Sequence, residues 1–377
     1  MATARAMQRF RTSVAPMIDV TDPCFVRLLR LISPFRKHQL WTEMVHANAF
    51  SRGHVHQDKL RLAQHIPVDE LEAFAEGIVV QLGASQADDA HAAVEALASL
   101  GVRHVNLNCG CPSRNVQMGS FGAVLMKTPE TTAQIVRAMV GAAHGTGMAV
   151  SVKCRIGIDN DESVGFLERF VAAVTEAGDE TAAVDLVVHA RRAWLSGLSP
   201  KENRMVPELN HARVHEIAAR FPRVRVALNG GIDTVDAVAH HLQQPLIDSV
   251  MIGRKIREDP WFLSLLDRHI YGVPDTEIPD PDAVLDRYLA FADSRHADIG
   301  TRYSVLGRPL FAFFGGRMGR TMRTRMGHLL AQARKDRYKV PFSQVVREAQ
   351  AAAQAEHAEY IERKAQRDAS PRLVSQG

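Results

Sequence analysis

Runs of β-branched and aliphatic residues alternate with stretches in which apolar residues recur at three- and four-residue spacing, and this alternation continues to about residue 260. Eight runs predict strands: Ser13–Met17, Trp41–Val45, Ile78–Leu82, Val102–Leu107, Ala149–Lys153, Leu186–His189, Val224–Leu228 and Ser249–Ile252. The intervening segments carry helix signals. Asp22-Pro23 predicts an N-cap with proline in the first turn, followed by Phe25, Leu28, Leu29 and Ile32 on one face. Ser85 and Asp88 have the spacing of a capping pair ahead of an apolar face at Val94 and Leu97, and Gly101 is the expected stop. Thr128-Pro129-Glu130 opens another helix, and Phe166, Leu167, Phe170, Val171 and Val174 mark one after the fifth strand. Such a repeat predicts an α/β fold with a parallel sheet closed as a (β/α)8 TIM barrel, which takes about 250 residues. A doubly wound open sheet competes, but no Gly-x-Gly-x-x-Gly follows the first strand.

Beyond the eighth strand the strand pattern stops. Pro274 to Pro281 is a proline-rich break, and the expected organisation is a barrel domain at 1–275, a small C-terminal helical domain at 276–369 and a flexible tail at 370–377. Val284, Leu285, Tyr288 and Leu289 predict one helix of the second domain, an arginine-rich window a second, and Phe342 to Arg367 a third.

Composition narrows the class. With 377 residues, 46% hydrophobic and 23% charged, the chain has globular proportions rather than those of a disordered one. No apolar run is long enough to span a bilayer and Met1 to Arg11 lacks the apolar core of a signal peptide, so a soluble, cytoplasmic protein is expected, with no membrane partner. Cys24, Cys109, Cys111 and Cys154 are too few for a disulfide framework and lack metal-ligand spacing, so no metal is expected. The net charge of +4 says little, but Ile299 to Lys335 contains no acidic residue and eight basic ones, which suits a polyanion or a solvated helix face.

Candidate chemistry gathers at the strands' C-terminal ends, where such barrels place active sites. Pro16 and Met17, Glu43, Gln81, Asn108 and Cys111, Lys153 and Arg155, His189, Asn229-Gly230-Gly231, and Gly253-Arg254 all fall there. The glycines after the seventh and eighth strands suit a phosphate site or simple turns. Lys153 would set a cation over a ligand ring or lie on the surface. His189 could donate to that ring or titrate, Glu43 could meet a base or an arginine, and Cys111 could be reactive or a small buried hydrophobe.

The segments Ser13-Val14-Ala15-Pro16-Met17, Asn106-Leu107-Asn108-Cys109-Gly110-Cys111-Pro112-Ser113, Val152 to Gly157, Leu228 to Gly231 and Met251 to Arg254 resemble the tRNA-dihydrouridine synthases. His189 to Arg204 resembles the DusA subfamily. The resemblance implies FMN-dependent reduction of the uridine C5=C6 bond in the tRNA D-loop, at positions 20 and 20a, with NADPH as reductant. It places FMN against Pro16, Met17, Gln81, Lys153, His189, Asn229, Gly230, Gly231, Gly253 and Arg254. It makes Cys111 the proton donor to C5, sets Asn108 and Arg155 on the uracil, and gives Lys201, Arg204, Arg320 and Arg323 to tRNA, with a monomer expected. A free thiol titrates at about pH 8.5, so at neutral pH it is mostly protonated and can act as an acid.

The chain departs from the family pattern at Cys109, a second thiol two positions from the acid, and in lacking a tryptophan near Arg320 and Arg323. Two other functions fit parts of the pattern. A flavin barrel acting on free pyrimidines, like dihydroorotate dehydrogenases, leaves Trp194 to Arg204 and the basic segment without a purpose. A non-catalytic tRNA-binding protein does not need Cys111, Lys153 and His189.

Overall fold

The computed structural model describes residues 10–51, 66–67, 77–178 and 183–369. The expected tail at 370–377 lies outside the described residues. Eight strands, β1 (Thr12–Val14), β2 (His38–His46), β3 (Ile78–Gly83), β4 (His104–Asn108), β5 (Ala149–Arg155), β6 (Val184–His189), β7 (Val226–Asn229) and β8 (Ser249–Ile252), close in sequence order into a barrel. All neighbours run parallel, and β1 returns to β8 through Thr12↔Val250, Ser13↔Met251 and Val14↔Ile252. Strand ends shift from the expected bounds for local reasons. Strand β1 stops before Pro16, which has no N–H to donate to a ladder, whereas β4 and β5 extend to Asn108 and Arg155.

The longer described helices of this unit are α1 (Pro23–Ile32), α2 (Ala87–Ser99), α3 (Pro129–Ala143), α4 (Val164–Thr175), α5 (His211–Arg220), α6 (Val235–Leu242) and α7 (Phe262–Tyr271). Asp22 caps α1, its Oδ1 accepting from Phe25 N at 2.9 Å. Gly101 follows α2 at φ +81°, its N–H reaching Ala98 O at 3.0 Å. The expected capping pair of Ser85 and Asp88 does not form. Helix α2 starts at Ala87 with Gln86 as the cap residue, one position too late for Ser85 to reach its free N–H groups.

The strands read as alternating sequences, yet both faces are buried. Inside, Ala15, Trp41, Val79, Val187, Ala227 and Met251 form an apolar plug. Two residues along from Val79, Val187 and Ala227 stand Gln81, His189 and Asn229, which therefore also point inward. The polar alternate positions of β4 and β5, His104, Asn106, Asn108, Ser151, Lys153 and Arg155, share that interior, while Val105, Leu107, Val150 and Val152 are buried beneath the helices.

The chain divides into two compact units, one of Met1–Arg257 with Phe262–Ile278 and another of Glu258–Trp261 with Pro279–Gly377. The second unit is helical, with α8 (Pro281–Ile299), α9 (Gly316–Lys335) and α10 (Phe342–Ala369). Met322, Met326, Leu330 and Ala333 form the buried stripe of α9, and Phe342, Val345, Val346, Ala349 and Ala353 that of α10. The arginine-rich window is not one helix. Short helices at Tyr303–Gly307 and Leu310–Phe313 precede α9, and the break falls at Gly315 and Gly316, the latter at φ +63°.

Candidate active site at the barrel mouth

Asn108 ends β4 and turns the chain: its Oδ1 accepts the backbone N–H groups of Gly110 and Cys111, each at 3.0 Å. Cys111 O in turn accepts from Ala123 N at 2.9 Å. Gly122 lets this loop close, since at φ +74° a Cβ there would come within 2.6 Å of Cys111 O. The two thiols of the motif part company. Cys111 is partly exposed, whereas Cys109 is fully buried, and burial, with Cys154 beside it, pushes that thiol far above its ordinary range. Cys109 is therefore a small buried hydrophobe.

Strand β5 supplies Lys153 and Arg155 from alternate positions. Lys153 Nζ donates to Asn229 Oδ1 at 3.1 Å across the mouth. Burial, reinforced by Arg155, lowers the ammonium to about 8. Arg155 is buried and bound to backbone: Nε donates to Gly110 O at 3.0 Å, and Nη1 donates to Arg192 O at 3.1 Å and Asn203 O at 2.9 Å. One guanidinium thus ties the Cys111 loop to the loop after β6.

The loop after β6 is organised by a residue without a signature of its own. Asn203 is wholly buried, accepts Trp194 N at 2.7 Å through Oδ1 and donates Nδ2 to Trp194 O at 3.0 Å. Gln117 Nε2 adds a link from the Cys111 side, donating to Pro112 O and Leu195 O at 2.8 Å each.

His189 and Asn229 meet at the ends of β6 and β7. Asn229 Nδ2 donates to Met251 O at 2.8 Å, so its Oδ1 is the acceptor for both Lys153 and His189 Nδ1, the latter at 2.7 Å. Burial, with Arg155 and Lys153 nearby, pushes His189 well below the usual imidazole range. The ring is therefore neutral with its proton on Nδ1, and neither titrates near neutrality nor donates through Nε2. That nitrogen is a buried acceptor without a partner among the described residues. Beyond it, Gly230 and Gly231 take φ +116° and +70°, and Gly253 precedes a short helix beginning at Arg254. Met17 lies after β1, where its N–H donates to Thr21 Oγ1 at 3.0 Å. Gln81 is buried, donating Nε2 to Asn106 Oδ1 and accepting from Asn108 Nδ2, both at 2.8 Å. Glu43 lies where the β2–β3 register shifts.

Positive charge accumulates at this end. Lys153, Arg155 and Arg204 all lie within electrostatic reach of Cys111, and Arg204 also senses Arg254 and Arg257. Neither Arg204 nor Arg254 has a carboxylate partner among the described residues. Lys201 is exposed beside Arg204. In the helical unit, Arg320 and Arg323 are both exposed on α9, with Arg323 Nη1 donating to Phe311 O at 3.0 Å. No group of His, Cys, Asp and Glu among the described residues could hold a metal. No described helix is long and apolar enough to cross a membrane.

Two atoms suit the pyrimidine edge of a flavin. His189 Nε2 lacks a donor, and Lys153 holds a positive charge with only a neutral amide as partner, where it can stabilise an anionic reduced ring. Fold and mouth together define a (β/α)8-barrel oxidoreductase of the flavin-dependent kind. The chain belongs to the dihydrouridine synthase family, whose model matches residues 13–304. It is 38% identical over 318 residues to the tRNA-dihydrouridine(20/20a) synthase of Xanthomonas axonopodis pv. citri, covering 84% of this chain and 88% of that one. The protein of the same description from Salmonella typhimurium is 38% identical over 312 residues, covering 82% and 87%. That of Escherichia coli strain K12 is 37% identical over 306 residues, covering 81% and 82%. Enzymes of this family reduce uridine to dihydrouridine in tRNA.

Proposed function

We propose that this protein reduces the C5=C6 bond of uridines 20 and 20a in the tRNA D-loop, with FMN as its cofactor and NADPH as reductant. The observation that carries this reading is one partly exposed thiol, Cys111, set among Lys153, Arg155 and Arg204 at the barrel mouth. FMN would be held by Lys153, His189, Asn229 and Gln81, by the backbone at Pro16, Met17, Gly230, Gly231 and Gly253, and by Arg254. When bound, it supplies the hydride for uracil C6.

The chain's own residues provide the rest. Cys111 delivers its thiol proton to C5 from a loop fixed on both sides by Asn108 and Arg155. Arg155 Nη2 and the second Nδ2 hydrogen of Asn108 are the donors left for the uracil carbonyls. The base must leave its stack to reach them, because a flavin cannot meet a base buried in folded RNA. Residues 1–275 would form the catalytic domain and 276–369 the tRNA-gripping domain. Lys201, Arg204, Arg320 and Arg323 would meet phosphates.

The test is to reduce the purified flavoprotein and mix it with unmodified tRNA, free uracil and orotate. Dihydrouridine should form in tRNA alone. Cys111→Ala should lower that rate at least about 100-fold while flavin stays bound. Turnover of free orotate, or an undiminished rate in the variant, would overturn the assignment.

A further inference from the structure

The polar residues inside β2 to β5 are joined end to end. Gln39 Nε2 donates to His104 Nδ1 at 3.1 Å, and His104 Nε2 donates to Ser151 Oγ at 3.0 Å. Asn106 Nδ2 donates to the same Oγ at 2.9 Å. Gln81 Nε2 then donates to Asn106 Oδ1, and Asn108 Nδ2 to Gln81 Oε1, at 2.8 Å each. The line ends on Asn108 Oδ1, which takes the N–H groups of Gly110 and Cys111. Gln39, Gln81, His104, Asn106, Asn108 and Ser151 are all buried.

The line has a direction. Burial, with Arg225 nearby, lowers His104 to about 3, so its ring is neutral and carries one proton. Because Nδ1 accepts from Gln39, that proton is on Nε2. Ser151 Oγ thus receives two N–H donors and turns its own proton to Val105 O at 3.4 Å. Asn106 must then face Ser151 with Nδ2, which leaves Oδ1 for Gln81 and, by the same logic, Gln81 Oε1 for Asn108. Were Asn106 turned around, Asn108 would present its NH2 group to two backbone N–H groups, donor against donor, and the turn that holds Cys111 would lose both bonds.

We infer that Asn106, held in its sense by Ser151, is a positioning residue for Cys111: the core of the barrel sets where the proton donor stands. Asn106 makes its side-chain hydrogen bonds to Ser151 and Gln81, not to Cys111, and acts through Gln81 and Asn108. Its consequence for catalysis rests on the proposed function, whereas its consequence for the loop does not.

The test uses Asn106→Leu, Ser151→Ala and Ser151→Thr in the full flavoprotein, with alkylation of Cys111 by iodoacetamide followed by peptide mass analysis. Asn106→Leu and Ser151→Ala should speed alkylation about tenfold by loosening the loop. Both should slow single-turnover uridine reduction at saturating tRNA, Asn106→Leu by about 100-fold, with tRNA affinity unchanged. Ser151→Thr keeps the hydroxyl and should restore both readouts. If Asn106→Leu does not fold, the Ser151 pair decides alone. Wild-type alkylation in folded Ser151→Ala, or no recovery in Ser151→Thr, would overturn the inference. Failure of the wild-type protein to reduce tRNA uridine would instead remove the proposed function and leave the alkylation result standing.

Discussion

The two ends of the barrel treat charge in opposite ways. At the N-terminal end of the strands, polar and charged groups are paired with one another. Thr12 Oγ1 meets His38 Nδ1 at 2.6 Å and Tyr271 OH at 2.7 Å, and His38 Nε2 meets Asp267 Oδ1 at 3.0 Å. Arg225 grips Asp185 with two bonds, Nε to Oδ1 at 3.0 Å and Nη2 to Oδ2 at 2.7 Å. At the C-terminal end, Lys153 has a neutral amide, Arg155 has carbonyls, and Arg204 and Arg254 have no carboxylate among the described residues. One end pairs its charges within the fold, and the other leaves cations without a carboxylate among the described residues. This is the division of labour expected between the bottom and top of such barrels.

The sharpest way to break the comparison is to silence the open end. Lys153→Met should lower uridine reduction about 100- to 1000-fold, the range for losing a preorganised charge beside a developing anion. The same ammonium should impose a pH limit. With its folded value at about 8 against an ordinary 10.5, the charge is lost as pH rises through 8, so activity should fall above that point. Stability moves the other way. Between pH 8 and 10.5 the unfolded chain binds the extra proton, so the fold gains stability with rising pH across the window in which activity declines. Lys153→Arg, whose charge persists while the Cys111 acid is shared, should lose rate less steeply above pH 8 than the wild type does. A wild-type rate that stays level to about pH 10 would refute the assignment.

At the closed end the expected loss is stability rather than rate. Burial raises the Asp185 carboxyl even though Arg225 pulls it down, so this carboxylate is costly to keep charged. Arg225→Met should therefore destabilise by about 3 kcal/mol. The double replacement Asp185→Leu with Arg225→Met should recover most of that. Urea unfolding of the four proteins gives the coupling directly. Additive losses would show that the pair does not hold the bottom shut, and a loss of rate per folded molecule would show that the two ends are not separate.

How much of this could be read in advance follows the range of each interaction. Strand existence and order were legible, because each run reports its own burial, and so was the gathering of Cys111, Lys153, His189 and Asn229, because parallel closure brings all C-terminal ends to one rim. Boundaries set by single bonds were not. Ser85 has capping spacing, yet the helix starts after Gln86. The arginine window looked continuous, but Gly315 and Gly316 interrupt it ahead of α9. The pattern placed Arg155 at the rim but was silent on its bonds and on Asn203, which join loops that are 48 residues apart in sequence. It was silent too on the interior line, since His-Val-Asn-Leu-Asn reads as a strand whichever face its polar residues take. A neutral, non-donating His189 needed the orientation of the Asn229 amide.

The effect of His104 is silent at neutral pH and emerges only on acidification. Its folded value of about 3 stands against an ordinary 6.5, because burial penalises the charged ring and Arg225 adds to that penalty. Below pH 6.5 the unfolded chain therefore takes up a proton that the fold refuses. Stability should drop as pH falls toward 3, with a limiting slope of about 1.4 kcal/mol per pH unit from this one group. His104→Gln removes that proton while keeping an amide N–H for Ser151. Its unfolding free energy, measured in urea at about pH 6, 5 and 4, should decline less steeply than the wild type's. Parallel slopes would mean that acid opens the barrel elsewhere and that the buried His104 ring does not govern its acid stability.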